Sequence, residues 1–253
     1  MKTKILIFDI EIAPNVAYTW GKWQQDVQVF QKEWYMLSFA YKWYGEDNVH
    51  AYGLPDFKSF KKDKTNDKEL VTKLHELFNQ ADIIIAHNGD EFDIKKANAR
   101  FIYHGLTPPS PFKTIDTKKV AKKYFNFNSN SLNDLGQYLK IGKKVPTGGF
   151  DLWLGCMAGN KKSWEVMIDY NKQDVILLEE IYTIFRPWIH NHPNINILDE
   201  VVNCCPACGS NKLQKRGYGV NQNTKYQRYQ CAKCGKWSKS KPIAIGLEIK
   251  NIC

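Results

Sequence analysis

The sequence predicts a mixed α/β protein with a small module at its C-terminal end. Three observations carry this reading. Lys4–Glu11 is apolar on both of its alternating faces, two further β-rich segments follow before any helical spacing begins, and six of the seven cysteines fall in the last 53 residues. The 253 residues are enough for one good-sized core plus a small appendage. No apolar run approaches the roughly 20 residues of a membrane span. The N-terminal apolar stretch is short, broken by Asp9 and without a small-residue cleavage site, so it does not read as a signal peptide. An intracellular (cytoplasmic) protein with no membrane partner is expected.

Taken in order, Lys4–Glu11 reads as a central strand covered on both sides, and Pro14 stops it. Residues 15–33 are polar with embedded aromatics (Tyr18, Trp20, Trp23) and read as a loop or short helix. Trp34–Tyr44 and Asn48–Gly53 are strands separated by a turn at Gly45-Glu46-Asp47-Asn48. Lys58–Lys64 is a lysine-rich surface loop. Asp67–Gln80 has helical spacing at Leu70, Leu74, Leu77 and Phe78, with Asn66 or Asp67 as N-cap. Asp82–Ala86 is a short apolar strand, His87-Asn88-Gly89 turns the chain, and Phe92–Tyr103 is a helix closed by Gly105. The rigid Thr107-Pro-Pro-Ser-Pro111 leads to a last strand at Phe112–Thr117. Ser131-Leu-Asn-Asp134 opens a short helix to Leu139 with capping-box character. Val145–Gly149 is a flexible loop, and Ser163–Trp188 is one long helix that Pro187 ends. His190–Glu200 reads as a linker of Asn and Pro character. The order βββαβαβα describes a ribonuclease H-like core, a mixed sheet with helices on both faces. It divides the chain into a domain at 1–190, a linker at 191–203 and a module at 204–253.

Acids fall at telling places in this order. Asp9 and Glu11, two apart on a strand, leave the same face. Asp93 opens the helix after the fourth strand, and Tyr170 and Asp174, at i and i+4, share a helix face. Singly, each is ordinary: strands end in polar residues, and acids at a helix start face its dipole. Collected together they are not. Buried like-charged carboxylates repel one another and lose hydration, so a fold rarely gathers them without a cation. Hard oxygen donors suit Mg²⁺ or Mn²⁺, and a carboxylate-held metal pair can cleave phosphodiesters.

The identities and order of these residues resemble the three motifs of the DEDD superfamily of 3′–5′ exonucleases. Phe8-Asp9-Ile10-Glu11 is similar to the first motif and Asn88 with Phe92-Asp93 to the second. Tyr170-Asn-Lys-Gln-Asp174 is similar to the third in its tyrosine form. Ile85-Ala-His-Asn88 followed by Phe92-Asp93 looks most like the proofreading domains of family-B DNA polymerases. The resemblance spans about residues 4–188. It implies two Mg²⁺ or Mn²⁺ ions on Asp9, Glu11, Asp93 and Asp174, with Tyr170 orienting the attacking water. Asn88 is a candidate contact to the terminal nucleotide, although Asn-Gly is also ordinary turn chemistry. Lys144 is either a phosphate contact or a solvated lysine. Trp20 and Trp23 are candidates for stacking on unpaired bases or for core packing.

The C-terminal module carries its own signal. Cys205-Pro-Ala-Cys208 and Cys231-Ala-Lys-Cys234 are two Cys-x-x-Cys pairs, each followed by glycine, at a spacing that suits one structural Zn²⁺. Cys204 could stand in for Cys205, but the Cys-Pro-x-Cys form favours Cys205. Cys156 reads as a buried apolar residue and Cys253 as free. The segment looks like the zinc ribbons of nucleic-acid enzymes. From Val201 onward there are ten Lys/Arg and one acid, Glu248, so nearly all of the net +10 belongs to this module. Such a basic surface suggests a polyanion partner, with Arg228 and Lys236 as substrate-binding candidates beside Tyr226, Tyr229 and Trp237. The expected protein is a 3′–5′ exonuclease on single-stranded DNA, working with replication or repair proteins. The alternatives are an RNA 3′–5′ exonuclease, an inactive nucleic-acid-binding or docking protein, and a structure-specific endonuclease on the same fold.

Overall fold

The computed structural model describes residues 2–23, 26–221 and 223–243. The described residues form two compact units: Lys4–Tyr182, and residues 183–243 together with residues 2–3.

The Lys4–Tyr182 unit is built on β1 (Ile5–Ile12), whose Ile5, Leu6, Ile7, Phe8 and Ile10 are all buried. Such a run, apolar on both faces, belongs in the middle of a sheet. The sheet order places it there. β4 (Met36–Trp43) runs antiparallel on one side with β5 (His50–Gly53) outside it. β6 (Ile83–Ala86) runs parallel on the other with β7 (Lys113–Asp116) outside it. This is a ribonuclease H-like mixed α/β sheet flanked by helices. Between β1 and β4 the chain forms a two-stranded hairpin, β2 (Val16–Tyr18) and β3 (Val29–Lys32), where the sequence reads as a loop or short helix. These strands bury almost nothing, so backbone pairing holds them and no apolar alternation announces them.

α1 (Lys68–Gln80) buries Leu70, Val71, Leu74, Leu77 and Phe78 in the core that also takes Leu6, Phe8 and Ile10. α2 (Asp93–Tyr103) adds Ala97 and Phe101 to the same core. Asp67 precedes α1 but its side chain does not cap the helix. It is fully buried and accepts from Arg100 Nε at 2.7 Å and from Met36 N at 2.8 Å, which ties the start of α1 to α2 and β4. α3 (Thr117–Tyr124) and α5 (Asp151–Ala158) are helices that the sequence did not announce, because each buries only two or three side chains. α4 (Leu132–Tyr138) starts at the Ser131 cap. α6 (Lys161–Phe185) is the long helix, and Arg186–Trp188 continues as a single 3₁₀ turn around Pro187.

In the unit from Thr183, the segment read as a linker contains a short helix, α7 (Ile195–Leu198), which the Asn194 side chain caps. Beyond it lies a three-stranded antiparallel sheet of β8 (Leu213–Val220), β9 (Lys225–Cys231) and β10 (Trp237–Lys239), with β9 in the middle. Cys253 lies outside the described residues. Among the described residues no helix is long and apolar enough to cross a membrane.

Candidate active site

β1 carries Asp9 and Glu11 on the face opposite Phe8 and Ile10. Across the strand pair they lie opposite Ala40 and Ser38 of β4. α6 brings Tyr170 and, one turn on, Asp174, both buried. Oxygens of Asp9, Glu11 and Asp174 come within 4.8 Å of one another. Asp93, the first residue of α2, is buried beside them, and its Oδ1 accepts from Ile10 N at 3.4 Å. Asp93 is not part of the three-oxygen group, although its charge is felt at Asp9.

The electrostatics follow from this crowding. Burial, then the charges of Asp93, Glu11 and Asp174, push the Asp9 carboxyl well above its usual range. Burial and Asp174 raise Glu11 to about 8. Burial raises Asp93 to about 7 against the hydrogen bond from Ile10. Burial also raises Asp174, with Lys144 opposing it, and Asp174 Oδ1 is buried without a hydrogen-bond partner. Three hard oxygen donors in one place, whose charged forms desolvation and mutual repulsion disfavour, with one orphaned oxygen, are a donor set that fits a divalent Mg²⁺ or Mn²⁺ ion.

Lys144 lies inside the site. Its ammonium donates to the Tyr170 hydroxyl at 2.8 Å and to Asp174 Oδ2 at 2.5 Å. Burial works against that charge, but Asp174 and Tyr170 outweigh it and raise the Lys144 pKa above its ordinary value. Burial, Asp174 and Glu11 raise Tyr170 in turn. Asn88 sits in the left-handed region at φ 68°, and its N–H donates to Asp116 Oδ1 at 3.0 Å. Asp116 also takes Asp90 N and caps α3, so one carboxylate sets the whole turn before Asp93. His87 bonds Thr117 Oγ1 and the Asn130 carbonyl, and burial lowers its pKa to about 4, so it stays neutral. Trp20 and Trp23 are 84% and 87% exposed, which removes core packing as their role.

Sequence reasoning missed Asn171, Trp153 and Asp116. Asn171 donates to Asp9, Trp153 bonds Glu11 and meets the Tyr170 ring edge-on, and Asp116 anchors the Asn88 turn. The only signal available for Asn171 was its place inside Tyr170-x-x-x-Asp174.

In the unit from Thr183, the sulfurs of Cys205, Cys208, Cys231 and Cys234 lie within 4.8 Å of one another. The Cys205–Cys234 and Cys208–Cys231 separations are 3.6 and 3.7 Å. Zn–S bonds of about 2.3 Å in a tetrahedron require sulfurs about 3.8 Å apart, so the four thiols fit such an ion. The two Cys-x-x-Cys turns are alike: Gly209 N donates to the Cys205 carbonyl and Gly235 N to the Cys231 carbonyl, both at 2.9 Å, with φ 68° and 78° at the glycines. Burial raises the Cys205 thiol and takes Cys208 up to about 11. At Cys231 burial is overcome by N–H bonds from Cys234 and Lys233, which bring that thiol down to about 7. Cys204 stays outside the group, and its carbonyl accepts from Asn196 Nδ2. Cys156 is buried, and burial pushes its thiol up to about 12.

The two basic candidates part company. Arg228 is exposed, whereas Lys236 is only 8% exposed and its ammonium donates to the Ile189 carbonyl. Lys236 is therefore corrected from a substrate contact to an internal tie, because a main-chain acceptor holds its charge inside the unit.

The fold and this partly buried acidic cluster define an α/β protein of the ribonuclease H-like class. Residues 35–186 match the RNase_H_2 family model, described as the RNase_H superfamily. The chain belongs to that superfamily, whose members are typically nucleases. The matched stretch includes Asp93, Tyr170 and Asp174; Asp9 and Glu11 precede it. Among solved structures, the family B DNA polymerase from the hyperthermophilic archaeon Pyrobaculum calidifontis is similar over 74% of this chain and 26% of its own, at 12% identity and a TM-score of 0.49. No curated protein matches the sequence.

Proposed function

We propose that this protein is a two-metal-ion 3′–5′ exonuclease acting on single-stranded DNA, with a C-terminal zinc ribbon that adds affinity for nucleic acid. The observation that supports this most is the convergence of Asp9, Glu11 and Asp174 to within 4.8 Å, drawn from the two ends of the Lys4–Tyr182 unit. The choice of polarity and of exonuclease rests on the resemblance of the three motifs.

Asp9, Glu11 and Asp174 would hold Mg²⁺ or Mn²⁺, with Asp93 serving a second ion directly or through water. Such ions, when bound, supply a water of lowered pKa and neutralise charge on the scissile phosphate and the leaving 3′ oxygen. The protein's own groups do the positioning. Tyr170, its pKa raised, keeps its proton at neutral pH, so its hydroxyl orients the attacking water rather than deprotonating it. Lys144, bonded to that hydroxyl, fixes its direction and presents positive charge to a phosphate oxygen. Asn88, on the turn that Asp116 holds, would bond the terminal nucleotide. The exposed Trp20 and Trp23 are available to stack on unpaired bases. Cys205, Cys208, Cys231 and Cys234 would hold one structural Zn²⁺, and the exposed Arg228 would contact nucleic acid. Replication or repair proteins are the natural partners, in the cell interior.

The test is a time course on matched 5′-labelled single-stranded DNA and RNA, with Mg²⁺ or Mn²⁺, beside Asp9→Ala. A descending ladder on DNA that vanishes in the variant is the expected result. A ladder on RNA alone would keep the chemistry and reassign the substrate. Binding without cleavage of either would make the protein a binding or docking module.

A further inference from the structure

Asn171 is fully buried, and its side chain ties three elements together. The amide nitrogen donates to Asp9 Oδ2 at 2.7 Å and to the Asp9 carbonyl at 3.3 Å. The amide oxygen accepts from the Ser38 hydroxyl at 3.1 Å. Ser38 is buried as completely and lies on β4 directly opposite Glu11. The chemistry fixes which way the amide points. Turned over, its oxygen would face the Asp9 carbonyl and, whenever Asp9 is ionised, a second acceptor at Oδ2 with no proton between them, which is costly in a buried place.

We infer that Asn171 is a positioning residue for the Asp9 carboxylate, with Ser38 holding the Asn171 amide in register. This rests on the reading of Asp9 as a metal-holding group. Two consequences follow from the geometry. A donor on one oxygen fixes the carboxylate's rotation about its own bond, which sets where its other oxygen points. Asn171 also lies between Tyr170 and Asp174 on α6, three residues before Asp174 and hence on its face. Its bond to β1 therefore sets the rotation of the helix that presents both. None of the periodicities in the sequence marks this residue, because its role exists only where β1, β4 and α6 meet.

The experiment titrates Mn²⁺ alone into the full-length protein, followed by the electron paramagnetic resonance of the free ion. It is run on wild type, Asn171→Ala, Ser38→Ala and Asp9→Ala, with melting temperature recorded for each. Asn171→Ala should bind Mn²⁺ about 10- to 100-fold more weakly, the range seen when a group supporting a metal ligand is lost. Its KM for DNA should stay unchanged, and its kcat should recover in part as Mn²⁺ is raised. Ser38→Ala should move in the same direction by a smaller factor. If Asp9→Ala loses the site while both other variants keep wild-type Mn²⁺ affinity, the positioning role is overturned and the site stands. If Asp9→Ala itself binds Mn²⁺ like wild type, the site reading fails. A lowered melting temperature with unchanged Mn²⁺ affinity would make Asn171 structural only and overturn the role. Should Asn171→Ala not fold, Ser38→Ala decides: weakened affinity supports the role, and wild-type affinity overturns it.

Discussion

The acidic site and the cysteine group both gather ligand-type side chains within 4.8 Å, three carboxylate oxygens in one and four thiols in the other. They are built in opposite ways. The carboxylates come from β1 and α6, near the two ends of the Lys4–Tyr182 unit, and a large apolar core that includes Leu6, Phe8, Phe39, Leu74 and Phe78 holds those elements in place. Around the cysteines the buried cluster is Cys205, Ala207 and Cys231, with Cys208, Leu213 and Cys234 packed against it, so the ligands are most of the core. In the first region the fold holds its ligands together against their repulsion. In the second the apolar cluster is small, and an ion on the four thiols would supply the difference. On the proposed reading, a metal would serve chemistry in one place and structure in the other.

The sharpest way to break this comparison is to remove one ligand from each region. Asp9→Ala and Asp174→Ala should each abolish cleavage while the protein keeps its fold. Near-wild-type turnover in either variant would sink the site assignment. Cys231→Ser should do the reverse. It should unfold β8–β10, since structural zinc sites are worth on the order of 10 kcal/mol or more, while cleavage of short substrates persists. Proton signals of β8–β10 that stay dispersed after this change would show the module standing without its ion.

A pH series sharpens the contrast next. Glu11 is raised to about 8 and Asp93 to about 7, above their values in an unfolded chain. Groups with raised folded-state pKa values stabilise the protein fully below the unfolded pKa, and that stabilisation is lost as pH rises through the folded value. The protein without Mn²⁺ should therefore lose stability between about pH 4 and pH 8. Added Mn²⁺ should restore it, and the gap in melting temperature between the two should widen from pH 5.5 to pH 8. A gap that does not change with pH would mean that these carboxyls are not coupled to the ion.

Smaller effects come last. Tyr170→Phe keeps the ring against Trp153 but loses the hydroxyl that Lys144 holds. It should lower kcat by less than Asp9→Ala does; equal losses would give Tyr170 a larger chemical part. Deleting the chain after Glu200 should leave catalysis in place and weaken binding. The salt dependence should fall by about 0.7 for each single-strand phosphate that the module had neutralised. Unchanged affinity would make the module a protein-docking element.

Much of this arrangement was legible in the chain. Ile5–Ile10 could only be a covered strand, and the 3.6-residue spacing of Leu70, Leu74 and Phe78 could only be a helix face against a core. Where burial was thin the signal was thin too: the β2–β3 hairpin, α3 and α5 contribute few core side chains, so no periodicity marked them. Asp67 shows the same limit from the other side. Its sequence position suits an N-cap, but a half-buried Arg100 and Met36 N compete for the carboxylate and take it.

By itself the sequence determined which residues could act as ligands and on what kind of element each would stand. Asp-x-Glu on a strand, Tyr-x-x-x-Asp on a helix and paired Cys-x-x-Cys turns are local patterns, set by backbone periods of two and 3.6 residues and by the reach of one tight turn. Only the tertiary structure decided what surrounds them. Asn171 bonds Asp9 from 162 residues away, the Lys144 ammonium sits between Tyr170 and Asp174, and Lys236 turns inward to Ile189. These contacts follow from how packed elements cross and how a buried polar group finds a partner. Neither is written in the spacing of residues along the chain, because the penalty for an unpaired charge or amide arises only once the core has excluded water.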